Sequence, residues 1–158
     1  MMNTHTNGLG LTNHVSNLIL LIEDDIDHAE LIIRTMKENP IRNHVLHFHD
    51  GNSALDYLFR RNHFNDPDSS PRPKVILLDM HLPGVDGIDI LRSIKASDEL
   101  KMIPVIMLTS SAAEMDITRA YCNRANSYLV KPIGWAEFKE LMDNLCCYWL
   151  GNNMNPKV

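Results

Sequence analysis

A chain of 158 residues with 44% hydrophobic and 22% charged residues has the size and composition of one globular domain, which excludes wholesale disorder. Its 15 basic against 20 acidic residues leave a formal charge of −5, so no basic field points to nucleic acid or to an anionic membrane surface. Cys122, Cys146 and Cys147 form neither a CxxC pair nor a disulfide framework, and read as small apolar side chains in a reducing compartment.

Residues 1–17, rich in Asn, Thr, His and Gly, read as a poorly ordered tail in which His5 and His14 have no Cys or carboxylate at hand. The first basic residue is Arg34, so the positive start of a secretory signal is missing, and the apolar run Leu18–Ile22 is far too short to span a bilayer. The location expected is cytoplasmic. Leu18–Ile22 then reads as a strand buried on both faces, as do Val75–Leu78 and residues 105–108, because continuous apolar runs mark parallel strands covered on both sides. Residues 27–38 place Ala29, Ile32 and Met36 on one helical stripe ended by Pro40. Residues 44–49 alternate, with Leu46 and Phe48 on one face and Val45, His47 and His49 on the other, as on an edge strand. Asn52 can cap a helix carrying Leu55, Leu58 and Phe59 after the Asp50-Gly51 turn. Residues 61–73 form a long, polar, proline-containing connection that reads as a solvated loop, with a partner-binding loop as the alternative.

Residues 87–96 carry Ile88, Leu91 and Ile94 on a helix, and residues 112–122 form a weaker helical segment. Residues 127–130 are a short strand. Residues 135–147 carry Phe138, Leu141, Met142 and Leu145 at helical spacing. The division expected is a tail at 1–17, a domain at 18–150 and a second tail at 151–158. β and α segments alternate five times, which predicts an α/β fold: an open parallel sheet with helices on both faces. Ligands of such sheets bind outside the carboxyl ends of the strands.

Those ends carry chemistry. Glu23-Asp24-Asp25 follows the first strand, Asp79 the third, Thr109-Ser110 the fourth and Lys131-Pro132 the fifth. Carboxylates gathered this closely repel and raise each other's pKa. A divalent cation removes that cost, and Mg2+ or Mn2+ prefers oxygen ligands of the kind Glu23, Asp24, Asp79 and the His81 backbone carbonyl offer. Asp79 can form an aspartyl-phosphate, with the Lys131 ammonium and the Thr109 hydroxyl binding phosphoryl oxygens. Each residue also has a plainer role. The acid run could face a helix dipole, Asp79 could sit in the Pro83-Gly84 turn, Thr109 and Ser110 could cap a helix, and Lys131 could be a surface lysine. Only their conjunction at strand ends favours the site. The Lys131-Pro132 bond is a candidate for the cis form, since the lysine must leave a strand and turn back.

At these residues the chain resembles the receiver domains of two-component response regulators. The matching stretches are Leu20-Leu21-Ile22-Glu23-Asp24-Asp25, Ile76 to Gly87 with Asp79-Met80-His81-Leu82-Pro83-Gly84 at its centre, Ile103-Pro104-Val105-Ile106-Met107-Leu108-Thr109-Ser110, and Ala125-Asn126-Ser127-Tyr128-Leu129-Val130-Lys131-Pro132. The resemblance implies a flavodoxin-like three-layer sandwich of strand order 2-1-3-4-5. It implies that Asp79 accepts a phosphoryl group from a sensor histidine kinase or a phosphotransfer protein, with metal held by Glu23, Asp24, Asp79 and the His81 carbonyl. It also implies that Thr109 and Tyr128 form a switch pair that alters the surface of the last helices and strand, where a downstream protein target would dock. The loop before Pro73 and the terminal Tyr148-Trp149 resemble single-domain regulators that partner phytochromes, whose relatives suggest a homodimer. His81 and Ser111 occupy the variable positions that set dephosphorylation rate in the family. Arg124 stands where relatives often have glycine, so a left-handed residue there is expected to be Asn123 instead.

Two other functions compete. An aspartyl-phosphate phosphatase on a related sheet would place a second acid two residues after the nucleophile, where this chain has His81. A flavin-binding module would need hydroxyl-rich residues after the first strand, where Glu23-Asp24-Asp25 would repel phosphate.

Overall fold

The computed structural model describes residues 17–157; the tail expected at 1–17 lies, but for Asn17, outside them. Five strands, β1 (Leu18–Ile22), β2 (His44–Phe48), β3 (Val75–Leu78), β4 (Val105–Thr109) and β5 (Ser127–Val130), form one parallel sheet in the order β2-β1-β3-β4-β5. The helices are α1 (Ile26–Glu38), α2 (Gly51–Leu58), α3 (Gly87–Ala96), α4 (Glu114–Cys122) and α5 (Trp135–Cys146), with a short turn of helix at Asn62–Phe64 and a wide helical turn at Cys147–Asn152. The flavodoxin-like expectation holds in strand number, direction and order. Among the described residues no helix is long and apolar enough to cross a membrane.

Side chains alternate across a strand, so each continuous apolar run feeds two cores. Leu20, Ile22, Ile76, Leu78, Val105 and Met107 pack with Leu58 of α2 and Ile88, Leu91 and Ile94 of α3. Ile19, Leu21, Val75, Leu77, Ile106 and Leu108 pack with Ala29, Ile32 and Met36 of α1 and Phe138, Met142 and Leu145 of α5. β2 is an edge strand, its Leu46 and Phe48 on the first core and its Val45 on the second.

Aspartates start three of the helices. Asp25 accepts from His28 N at the start of α1, Asp50 from Ser53 N at α2, and Asp86 from Ile88 N at α3. The α2 cap corrects the assignment to Asn52: Asp50 stands before Gly51 in extended backbone, and both its oxygens bond Ser53, at 2.8 and 2.9 Å. α4 begins at Glu114, two residues later than expected, and has no side-chain cap bond. Gly87 opens α3 against the backbone of the β3 end: a Cβ there would meet the Asp79 carbonyl oxygen at 2.2 Å. Only a residue without a side chain lets α3 start so close to Asp79.

Two further expectations are corrected. The left-handed residue before β5 is Arg124 itself, at φ 69°, whereas Asn123 lies at φ −95°. The bonds that close α4 explain it: Arg124 N donates to Tyr121 O and Ala125 N to Ala120 O, a helix ending that needs one residue in positive φ just past it. The Lys131-Pro132 bond is trans, as no cis peptide occurs among the described residues. The lysine reaches the site directly from the end of β5, its N–H held by the Thr109 carbonyl at 2.8 Å, so no reversal of the chain is required.

The connection from 61 to 73 is largely exposed, as expected of a solvated loop, but is pinned to the fold at several residues. Phe64 stands edge-on to Phe48 and Tyr57, Tyr57 Oη donates to the Pro71 carbonyl at 2.6 Å, and Ser70 is buried with its hydroxyl bonded to Phe64 and Asp66 carbonyls. At the amino ends of β1 and β3 Lys74 Nζ donates to Asn17 Oδ1 and the Leu150 carbonyl, and Asn155 Nδ2 to the Lys74 carbonyl.

Lys95 of α3 is 7% exposed, and its ammonium donates to the carbonyls of Lys101 and Ile103 and to Asn126 Oδ1 at 2.9–3.0 Å. The three oxygens favour the charge but burial outweighs them, lowering the lysine to about 8 from 10.5. Between those values the unfolded chain holds a proton that the folded one has released, so stability rises with pH across the window and is flat on either side. Urea unfolding of wild type against Lys95→Met should show the difference growing in favour of wild type from about pH 8 to 10.5. A pH-independent difference would show that the three oxygens cancel the burial.

Candidate functional site

The site stands on the carboxyl ends of β1, β3, β4 and β5, each held by backbone bonds that continue the sheet. Glu23 N donates to Phe48 O and Asp79 N to Ile22 O, both at 3.1 Å, and Lys131 N to Thr109 O. Glu23, Asp24 and Asp79 each bring a carboxylate oxygen within 4.8 Å of the other two. The Glu23 side chain is 1% exposed and that of Asp79 12%, while Asp24 is open to solvent.

Lys131, 5% exposed, lies among them. Its Nζ donates to Glu23 Oε2, stands 3.8 Å from Asp79 Oδ2 and 3.3 Å from His28 Nδ1. The second Glu23 oxygen accepts from Asp25 N at 3.1 Å, and His47 Nε2 donates to the Glu23 carbonyl at 2.8 Å. Burial raises the Glu23 carboxyl above its ordinary value, Lys131 pulls it back, and the Asp79 charge pushes it up again. The plainer reading of the acid run holds for Asp25 alone: it caps α1, and the His28 N–H holds it below the usual aspartate value.

Thr109 is buried, and its Oγ1 accepts from Ser111 N at 3.3 Å. Tyr128 is half-buried against the first core with its hydroxyl bonded to the Ser111 carbonyl at 2.9 Å, and burial raises that phenol. Ser110 is exposed and caps no helix. The His81 imidazole is 65% exposed and lies 3.5 Å from an oxygen of Asp116. Asp116, His28 and His47 were not anticipated from sequence: an acid in the first turn of a helix and two ordinary histidines carry no signal until the fold sets them beside the rim.

The donor set is all oxygen and anionic, which suits a hard divalent cation and not a soft one. Asp24 and Asp79 have oxygens free for it, and each Glu23 oxygen, bonded once to Asp25 N or to Lys131, keeps a second lone pair that can serve it.

The family model for the response regulator receiver domain matches residues 19–143. The chain belongs to the response regulator receiver domain family. It is 42% identical over 139 residues to the probable methanogenesis regulatory protein FilR2 of Methanothrix harundinacea, covering 88% of this chain and 87% of that one. It is 33% identical over 133 residues to response regulator Rcp1 of Synechocystis, covering 84% and 88%. The manganese-bound structure of Rcp1 aligns with a TM-score of 0.82 at 32% identity, over 89% of this chain and 99% of that one. The phosphorylated cyanobacterial phytochrome response regulator RcpA aligns with a TM-score of 0.84 at 30% identity, over 90% and 99%. The protein is thus a receiver domain of phosphorylation-based two-component signalling, related to phytochrome response regulators.

Like charges in the Glu23–Asp24–Asp79 cluster oppose folding when no cation shares them. In the presence of a chelator, Asp79→Asn should therefore raise unfolding stability by about 1 kcal/mol. A drop of similar size in urea unfolding would mean that the attraction of Lys131 for Asp79 outweighs the repulsion by Glu23 and Asp24.

Proposed function

We propose that Asp79 is the phosphoacceptor of this receiver domain, taking a phosphoryl group from a sensor histidine kinase or a phosphotransfer protein. The observation that carries the reading is the convergence of three carboxylates within 4.8 Å of one another and an ammonium 3.8 Å from Asp79. In the transfer an Asp79 oxygen forms a bond to phosphorus as the phosphorus–nitrogen bond of the donor breaks, and the donor imidazole keeps the electron pair. Glu23, Asp24 and Asp79, with the His81 backbone carbonyl, would hold Mg2+ or Mn2+, which supplies charge neutralisation for the phosphoryl oxygens. The manganese-bound structure of Rcp1 supports that assignment.

Lys131 serves as the second positive charge, a point donor already fixed between Glu23 and Asp79. The Thr109 hydroxyl donates to a further phosphoryl oxygen. Ser111 joins Thr109 to Tyr128 by hydrogen bonds, which supports reading those two as the switch pair. The upstream partner is a phytochrome-type kinase, a reading supported by the likeness to RcpA. The downstream target is a protein that docks on α4, β5 and α5, where Met115, Val130 and Ile133 are exposed. Exposed Tyr148 supports a homodimer through the last helix and strand. The protein acts in the cytoplasm and catalyses only its own phosphorylation and dephosphorylation, since the acid a phosphatase would carry two residues after Asp79 is His81.

Incubated with Mg2+ and acetyl phosphate, wild type should gain the mass of one base-labile phosphoryl group, Asp79→Asn none, and a chelator should abolish the gain. Equal uptake by Asp79→Asn would sink the assignment.

A further inference from the structure

We propose that Asp116 is a positioning residue that ties His81 to Ser111 across the crevice above Asp79 and thereby sets how long a phosphoryl group lasts there; the proposal rests on Asp79 as the phosphoacceptor. β3 and β4 are neighbours, with Leu78 opposite Met107, so the segments that follow them form the two banks of that crevice. His81 stands on one bank and Ser111 on the other. A single oxygen of Asp116 joins them: Oδ2 accepts from Ser111 Oγ at 2.6 Å and has His81 Nε2 at 3.5 Å. The other oxygen faces Arg119 Nη1 at 3.8 Å, and Arg119 Nη2 returns to Asp86 Oδ2, on the His81 bank, at 3.4 Å. Asp116 is 16% exposed although it lies in the first turn of a surface helix, because its carboxylate is covered by Ser111, His81 and Arg119.

Ser111 is held at every polar atom. Its N–H donates to Thr109 Oγ1, its hydroxyl to Asp116, and its carbonyl accepts from Tyr128 Oη. Fixing Ser111 therefore fixes the neighbour of Thr109 and the acceptor of Tyr128 together.

Hydrolysis requires water to reach phosphorus from the side opposite the Asp79 oxygen, which is the crevice. The water oxygen bonds to phosphorus, the Asp79–phosphorus bond breaks with its electrons returning to the carboxylate, and the water proton passes to phosphate or solvent. Banks tied together leave less room for that water, and untied banks admit it.

The test is loss of the phosphoryl group after acetyl phosphate is removed. Asp116→Asn keeps the size but loses the charge that holds both banks, and should lose the group about fivefold faster than wild type, the scale of one charge-assisted bond. Ser111→Ala should accelerate loss in the same direction, and decides the matter if Asp116→Asn does not fold. In a His81→Ala/Ser111→Ala protein, adding Asp116→Asn should change the rate less than about twofold, because only the 3.8 Å contact with Arg119 is left for it to lose. An unchanged or slower rate in Asp116→Asn, or a full effect in the doubly substituted background, would overturn the proposal. A wild type that takes up no phosphoryl group would instead defeat the phosphoacceptor reading beneath it.

Discussion

The arrangement at the rim depends on one buried contact, that between the Lys131 ammonium and the Glu23 carboxylate. Both side chains are withdrawn from water, and an ionised carboxylate so placed is tolerable only with a partner. A parallel sheet makes the partnership possible: all its carboxyl ends face one way, so residues 108 positions apart in the chain leave β1 and β5 on the same edge. The contact is not a stability device in isolation, since two apolar side chains would be cheaper to bury. Its consequence is to hold a positive charge 3.8 Å from Asp79 while leaving the Asp79 and Asp24 oxygens uncommitted. The backbone frame is stiff enough for this, because Glu23 is bonded to β2 through Phe48 and through His47, and Asp79 to β1 through Ile22.

The site and the sheet were legible for the same reason. A strand buried on both faces is apolar along its run, so the first polar residue after Leu18–Ile22, after Val75–Leu78 and after residues 105–108 marks the rim of the sheet, where chemistry begins. Glu23, Asp79 and Thr109 are those residues. What sequence hid is what tertiary contact decides. Asp50-Gly51 resembles a turn, and only the chain entering in extended backbone makes Asp50 the cap. Arg124 takes a conformation that its own side chain disfavours, because the closing bonds of α4 and the start of β5 at Ser127 fix the path between them. Lys95 lies on a helix whose other inward residues are apolar, and nothing in its neighbours along the chain foretells that two carbonyls and Asn126 converge on it. Lys131 was expected to serve Asp79, but its nearest partner is Glu23, a preference set by distances that no spacing encodes.

The helices differ in what secures them, and the difference bears on signalling. α1, α3 and α5 each bury several large apolar side chains, whereas α4 buries only Ala120 along its nine residues and leaves Met115 and Tyr121 exposed. At about 25 cal/mol per Å2, one buried methyl contributes little against the ordering of a helix. Besides Ala120, the side-chain contacts that α4 makes with the rest of the fold are polar: Asp116 with Ser111 and His81, and Arg119 with Asp86.

Apolar packing is indifferent to a change of charge nearby, but polar ties are not. With Asp79 as the proposed phosphoacceptor, an aspartyl-phosphate would replace the single carboxylate charge by close to two on the phosphoryl oxygens, a net gain of about one negative charge displaced outward from the rim. It would compete with Asp116 and Asp86 for His81 and Arg119, and it would draw on the Thr109 hydroxyl that now accepts from Ser111. The well-packed helices have nothing at stake in that competition. α4 does, and so does Tyr128 through the Ser111 carbonyl. On the proposed reading, an electrostatic event at the rim would be felt first where the fold has invested least in apolar burial, on the side of the molecule where Met115, Val130 and Ile133 are exposed.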